Sequence, residues 1–462
     1  MAAGDRPNIL FIISDDQSFP HVSYAGDPVV RTPNFDRVAH QGVIFTNAYV
    51  SSPSCTPSRA SVLTGRNHWE LRETGNLWSL WPGWATYTQR FADAGYHVGY
   101  SAKGWAPGRR EDMRENNPAG PRYADVREFL AADSGGRPFC YWFGSHRPHR
   151  PYVEGSGVQA GMSLDDVPVP LFFPDAEPLR ADIADYYLQC QMYDAQIGEI
   201  LAALEEAGRL ENTLIAVTSD NGMPFPRCKA NLYDFGTRMP LAVAWPGVIE
   251  GGRIVDDFVS FADFAPTFLE AAGLQPLPHA SGRSFLDVLT SGRSGRVDPQ
   301  RDRVHCGRER HAIFGTGGVG YPMRSLRTDR FLYIRNFAPD RGPAGNPPLY
   351  GDVDPGITKR YMIRNRDLPQ VAPLFELAFG GRPPEELYDL RRDPAQMVNV
   401  AHLPEYEEIR RRLWDELESY LAATGDPRLE DDSFDFDTQE YFGGRAWAPR
   451  RQPEVFTRRP RP

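Results

Sequence analysis

"NILFIISDD", residues 8–16, decides the fold. Its first seven residues are an almost unbroken apolar run, which suits a strand buried on both faces in a parallel sheet covered by helices, and the run ends on two carboxylates. "TLIAVTSDNG", residues 213–222, repeats the pattern: an apolar strand, then Asp220 and Asn221. Further strand-like runs lie at 96–102, 138–145 and 240–247, with helical stretches such as "ATYTQRFADAG" (85–95) between some of them. Between 181 and 210, Ile183, Tyr187, Cys190, Ile197, Leu201 and Leu204 recur at helical spacing, and Gly208 supplies a stop. This alternation predicts an α/β fold, a large and mostly parallel sheet sandwiched by helices, in which ligands gather at the carboxyl ends of the strands.

Beyond residue 318 the texture changes. A strand hairpin over 321–337, a Pro/Gly-rich stretch over 338–356 and a charged amphipathic helix over 405–424 predict a smaller C-terminal α+β domain (319–462) after a large first domain (1–318). The basic, Pro-rich end, 445–462, reads as a solvated arm or a strap between subunits of a homodimer.

With 462 residues the chain can bury a sizeable core, and its net charge of -10 argues against a general nucleic-acid or acidic-membrane binder. A local basic pocket for an anion remains open. No stretch approaches the roughly 18 consecutive apolar residues of a membrane helix. The five cysteines are an odd number without a C-x-x-C pair, which indicates neither a disulfide framework nor a zinc cluster. A cytoplasmic setting fits if the chain is full length, a periplasmic or secreted one if a targeting segment has been removed.

"SSPSCTPSRASVLTGR", residues 51–66, places Cys55 at a helix start marked by Pro57 and Ser58, with Gly65 at the helix end and Arg59 four residues on. Helix N–H groups and the macrodipole favour an anion there. Read alone, Cys55 is a capping cysteine of lowered pKa. Asp15, Asp16, Asp220 and Asn221 are hard oxygen ligands that suit Ca²⁺ or Mg²⁺ better than Zn²⁺. Each in isolation reads as a turn or capping residue, but a doubly wound sheet brings both strand ends to one edge.

Together "PNILFIISDDQ", "CTPSRASVLTGR" and "TLIAVTSDNG" resemble the sulfatase family of the alkaline phosphatase superfamily, in which the cysteine of C-x-P-S-R is oxidised to formylglycine. "PFCYWFGSHRPHR", "VPVPLFFPDAEPLRADIADYY", "TSDNGMPFP" with "NLY" after it, and "YPMRS" look most like its N-sulfoglucosamine sulfohydrolase branch. The resemblance implies an alkaline-phosphatase-like fold and a formylglycine made from Cys55 by a formylglycine-generating enzyme. It also implies Ca²⁺, with Mg²⁺ as the other option, held by Asp15, Asp16, Asp220, Asn221 and the modified Cys55. Arg59 would hold the modified side chain, Lys103 and Lys229 would contact the sulfate, and His149 would be the general acid. His146 is an alternative partner, and His311 loosely matches a sugar-binding position.

The expected activity is hydrolysis of sulfate from a sulfated sugar or small organic sulfate, first the N-sulfate of glucosamine. The alternatives are an O-sulfatase, a phosphonate or phosphate ester hydrolase of the same superfamily, and an inactive binder of sulfated glycans. One departure is Trp105, which stands where the family usually carries a histidine.

Overall fold

In the computed structural model, which describes residues 6–110, 117–133, 135–313, 318–430 and 434–443, the run 8–14 is a strand with every residue buried. The strands are β1 (Asn8–Ser14), β2 (Val43–Tyr49), β3 (Ser79–Trp81), β4 (His97–Ala102), β5 (Gly108–Arg110), β6 (Phe139–Gly144) and β7 (Thr213–Ser219). After them come β8 (Arg238–Ala244), β9 (Arg253–Ser260), β10 (Arg303–Arg308), β11 (Met323–Thr328), β12 (Phe331–Asn336) and β13 (Glu385–Asp389). Seven form the main sheet in the order β4-β6-β1-β7-β8-β2-β9. All are parallel except β8, which runs against both β7 and β2.

β1 divides its side chains between the two faces, as the period of a strand requires. Ile9, Phe11 and Ile13 enter one core with Ala60, Val62 and Leu63 of the helix Cys55–Thr64 and with Phe264 and Phe268. Leu10 and Ile12 enter the other with Tyr193, Ile197, Leu201 and Leu204 of the 30-residue helix Glu177–Glu206. Helices thus cover both faces, which is why β1 has no polar side. Each fully buried side chain of this size is worth roughly 1.5–3 kcal/mol relative to exposure.

A second, antiparallel sheet has the order β10-β11-β12-β13. The helix Glu407–Ala423 lays Leu413, Leu417 and Leu421, spaced one turn apart, against Leu326, Tyr333 and Leu387 of that sheet. The expected division at 318/319 falls between β10 and β11, so the antiparallel sheet opens before that point, at Arg303. The basic end, 445–462, lies outside the described residues.

Candidate active site

Register assembles the site. Ser14 pairs with Ser219, Ile13 with Gly144, and Gly144 with Ala102, so four parallel strands finish nearly level. The residues that follow, Asp15, Asp220, Ser145 and Lys103, leave the sheet along one edge. Gly144 is required there: a Cβ at this position would lie 1.7 Å from the Lys103 carbonyl oxygen. Asp16 adopts a left-handed φ of 77°, and its N–H donates to Asp220 Oδ1 at 3.1 Å.

Cys55 is the first residue of its helix, and its Sγ donates to Asp15 Oδ1 at 3.3 Å. Arg59, one turn on and fully buried, donates from Nε to Asp220 Oδ2 at 2.7 Å and from its terminal nitrogens to the carbonyls of Lys103 (2.9 Å) and Ser14 (3.2 Å). It therefore ties three strand ends together. Its donors go to these groups and not to the Cys55 side chain.

Ligand atoms of Asp15, Asp16, Cys55 and Asp220 all lie within 4.8 Å of one another, and all four residues are buried. Asn221 Nδ2 donates to Asp16 Oδ1 at 2.7 Å, while its Oδ1 is buried without a partner. Three converging carboxylates and an orphaned amide oxygen are a hard donor set of the kind that holds Ca²⁺ or Mg²⁺. Two lysines flank it. Lys103 Nζ lies 2.7 Å from Asp15 and 3.6 Å from Asp220, and Lys229 Nζ lies 2.8 Å from Asp16 and 3.4 Å from Asp354.

The charges sort accordingly. Burial pushes Asp15 up, but Lys103, His149 and Arg59 outweigh it and hold the carboxyl well below the usual range. Burial pushes Asp16 up to about 6 against Lys229 and His149. Burial pushes Lys229 and Lys103 down, yet their carboxylate neighbours more than compensate and keep both ammoniums charged. Burial, with Asp220 next, pushes the Cys55 thiol well above its ordinary value. The lowered pKa of a capping cysteine is therefore not what this site produces, because burial first and the Asp220 and Asp15 carboxylates after it outweigh the helix end.

A cavity of about 1030 Å³ opens above the cluster. Asp15, Cys55, Lys103, His146, His149, Lys229 and His311 line it, whereas Arg59, Asp16, Asp220 and Asn221 do not. His149 Nε2 is 3.8 Å from Asp16 Oδ2, and its Nδ1 is paired with the Arg150 carbonyl, which can only accept. That contact requires a hydrogen on Nδ1 and leaves Nε2 as the nitrogen free for substrate. His311 Nδ1 meets Ser54 Oγ at 2.9 Å, and burial pushes this imidazole down to about 3. His146, exposed at the cavity mouth, is lowered as well, by desolvation against the cavity wall.

Trp105 is turned away into the core, its ring 5.2 Å from that of Trp81, and is absent from the cavity wall. Other wall residues carried no motif in the sequence. Asp354 comes from the Pro/Gly-rich stretch, where a D-P-G turn is its one local signal. Arg150 donates from both terminal nitrogens to Asp182 at 2.8 Å, and the backbone N–H and hydroxyl of Thr358 donate to the same carboxylate. The loop after β6 is thus fastened to the long helix and to the C-terminal half. Among the described residues, no helix is long and apolar enough to cross a membrane.

A family model described as Sulfatase matches residues 7–117 and 121–274. N-sulphoglucosamine sulphohydrolase of Homo sapiens is 28% identical over 91% of this chain and 91% of its own length. An ulvan-active sulfatase of Formosa agariphila is 27% identical over 91% of this chain and 76% of its own. In fold, the chain is similar to BT4656, solved in complex with its substrate D-glucosamine-2-N, 6-O-disulfate, with a TM-score of 0.64 and 20% identity over 94% of this chain and all of that one. With the family model spanning more than half of its residues, the chain belongs to the sulfatase family and is a hydrolase of sulfate esters or sulfamates.

Proposed function

We propose that this enzyme is a metal-dependent sulfatase that releases sulfate from a sulfated sugar, first the N-sulfate of glucosamine, through a formylglycine made from Cys55. The observation that carries the reading is the convergence of Cys55, Lys103, Lys229 and His149 on one cavity above the Asp15, Asp16, Asp220 and Asn221 cluster. The choice of sugar is supported by the human relative and by the ligand of the solved neighbour.

In this reading Asp15, Asp16, Asp220, Asn221 and residue 55 hold Ca²⁺, or Mg²⁺ as the second hard cation these donors suit. When present, the cation and the formylglycine supply a Lewis acid and an oxygen nucleophile. The chain's own residues do the rest. The Lys103 and Lys229 ammoniums, fixed by carboxylates, bind the sulfate oxygens where negative charge grows. His149 serves as general acid in its imidazolium form: Nδ1–H stays on the Arg150 carbonyl, and Nε2–H passes its proton to the leaving nitrogen or oxygen, which leaves the neutral Nδ1–H ring behind. Since Trp105 lies in the core, the base nearest in kind to the family histidine is His146, which lines the cavity with its pKa lowered by desolvation there. Arg59 keeps the strand ends in place.

Protein produced with a formylglycine-generating enzyme and supplied with Ca²⁺ is expected to release sulfate from N-sulfoglucosamine. Release from O-sulfated sugars alone would move the substrate to sulfate esters. Release from no sulfated sugar, with turnover of an aryl sulfate, would overturn the sugar reading.

A further inference from the structure

The cavity is larger than one sulfated ring needs, and part of its wall takes no part in the proposed chemistry. Its volume of about 1030 Å³ stands at the upper end of the roughly 300–1,000 Å³ that encloses a whole drug-sized ligand. Two half-buried aromatic residues, Trp78 and Tyr441, line it, with ring centroids 6.4 Å apart and planes inclined at 55°.

Both are held by specific contacts. Trp78 has a left-handed φ of 56°, which a bulky side chain rarely adopts, and its carbonyl accepts from the Phe442 N–H at 2.8 Å. The neighbouring Leu77 N–H donates to the Arg310 carbonyl at 3.1 Å. Tyr441 arrives on segment 434–443, which is fastened across the site. Phe436 is buried and its carbonyl accepts from Asn76 Nδ2 at 2.8 Å. The Asp437 carboxylate accepts from the Gly320 N–H and from Arg341, both at 2.7 Å. Arg310 donates to the carbonyls of Asp437 and Gln439 at 2.9 and 2.6 Å. A segment more than 350 residues from Trp78 in the chain is thus anchored so that a second ring stands beside the first at the cavity wall.

We propose that Trp78 and Tyr441 form an aromatic subsite for the sugar unit next to the sulfated one, so that the preferred substrate is the end of a sulfated oligosaccharide and not the free monosaccharide. This rests on the sugar reading above. A pyranose ring has a face of C–H groups that packs on an aromatic face, while its rim of hydroxyls meets the polar tips of indole and phenol. The sulfate clamp of Lys103 and Lys229 fixes the first unit, and the aromatic pair takes the second.

The test compares kcat/KM for N-sulfoglucosamine with kcat/KM for a disaccharide carrying the same unit at its non-reducing end. The native enzyme is expected to favour the disaccharide by about tenfold or more, the yield of one good aromatic contact. Trp78→Ala and Tyr441→Ala are expected to bring that ratio toward one, mainly through KM, and Trp78→Phe and Tyr441→Phe to keep most of it. The ratio is internal to each preparation, so a partial loss of folded protein leaves it unaltered. A native ratio near one, or a ratio retained in both alanine variants, would overturn the subsite. Hydrolysis of neither sugar by an enzyme that turns over an aryl sulfate would instead overturn the sugar reading, and the subsite with it.

Discussion

Cys55 shows how far a local motif and its surroundings can pull apart. A helix start lowers the pKa of a thiol, yet burial and the carboxylates of Asp220 and Asp15 raise this one, so the unmodified side chain is a protonated thiol and a poor nucleophile. Replacing it with Ala is expected to cut sulfate release at least about 10³-fold while moving the thermal midpoint by only a few degrees, since few atoms are removed. For His149→Gln the loss is expected to depend on the leaving group. An alkoxide or amine needs the proton, so turnover of a sulfated sugar should fall about 10²- to 10⁴-fold, and that of an aryl sulfate with an acidic phenol much less. Equal losses on both would remove the general-acid role. Arg59 calls for a stability measurement: Arg59→Ala strands the buried Asp220 carboxylate and should cost about 3–5 kcal/mol in denaturant unfolding.

At the level of elements, β1 and β7, the two strands that end in the carboxylates, were legible because each is buried throughout and reads as a largely apolar run. β2 and β9 were not. β9 is an edge strand in which Asp256 and Asp257 break the pattern, and β2, "VIFTNAY", mixes polar with apolar residues. Asp354 and Tyr441 were hidden for another reason: both sit in irregular segments whose place is set by distant partners, so neither periodicity nor spacing points to the cavity. His305 of β10, stacked at 3.6 Å on Tyr420 of the helix Glu407–Ala423, ties this level to pH. Burial lowers its folded pKa to about 3 from an ordinary 6.5. Below pH 6.5 the unfolded chain takes up a proton that the folded chain refuses, so this stability is full above 6.5 and is lost as the pH falls. The loss is about 1.4 kcal/mol per pH unit, or about 2 kcal/mol by pH 5. His305→Phe, which keeps the stack, should flatten that part of the slope in unfolding measured at pH 7 and pH 5, and an unchanged slope would show that this imidazole is not buried neutral.

For the whole molecule, the sheet edge is held together by charge as much as by packing. Three carboxylates meet at the ends of two strands, and Arg59, Lys103 and Lys229 balance them. A cation bound there stabilises the native state by mass action, about 2.7 kcal/mol at a hundred times its Kd. Chelation is therefore expected to lower the unfolding temperature and Ca²⁺ to restore it, with Asn221→Ala weakening the response; a midpoint indifferent to chelator and Ca²⁺ would argue against a cation site at this edge. The central claim is that this edge was built around a converted Cys55, and mass spectrometry of the Cys55 peptide tests it most directly, on protein produced with a formylglycine-generating enzyme. The account predicts the mass of the aldehyde, together with sulfate release from N-sulfoglucosamine. An intact thiol at Cys55 in that protein would contradict it and leave a sulfate-binding fold without its nucleophile.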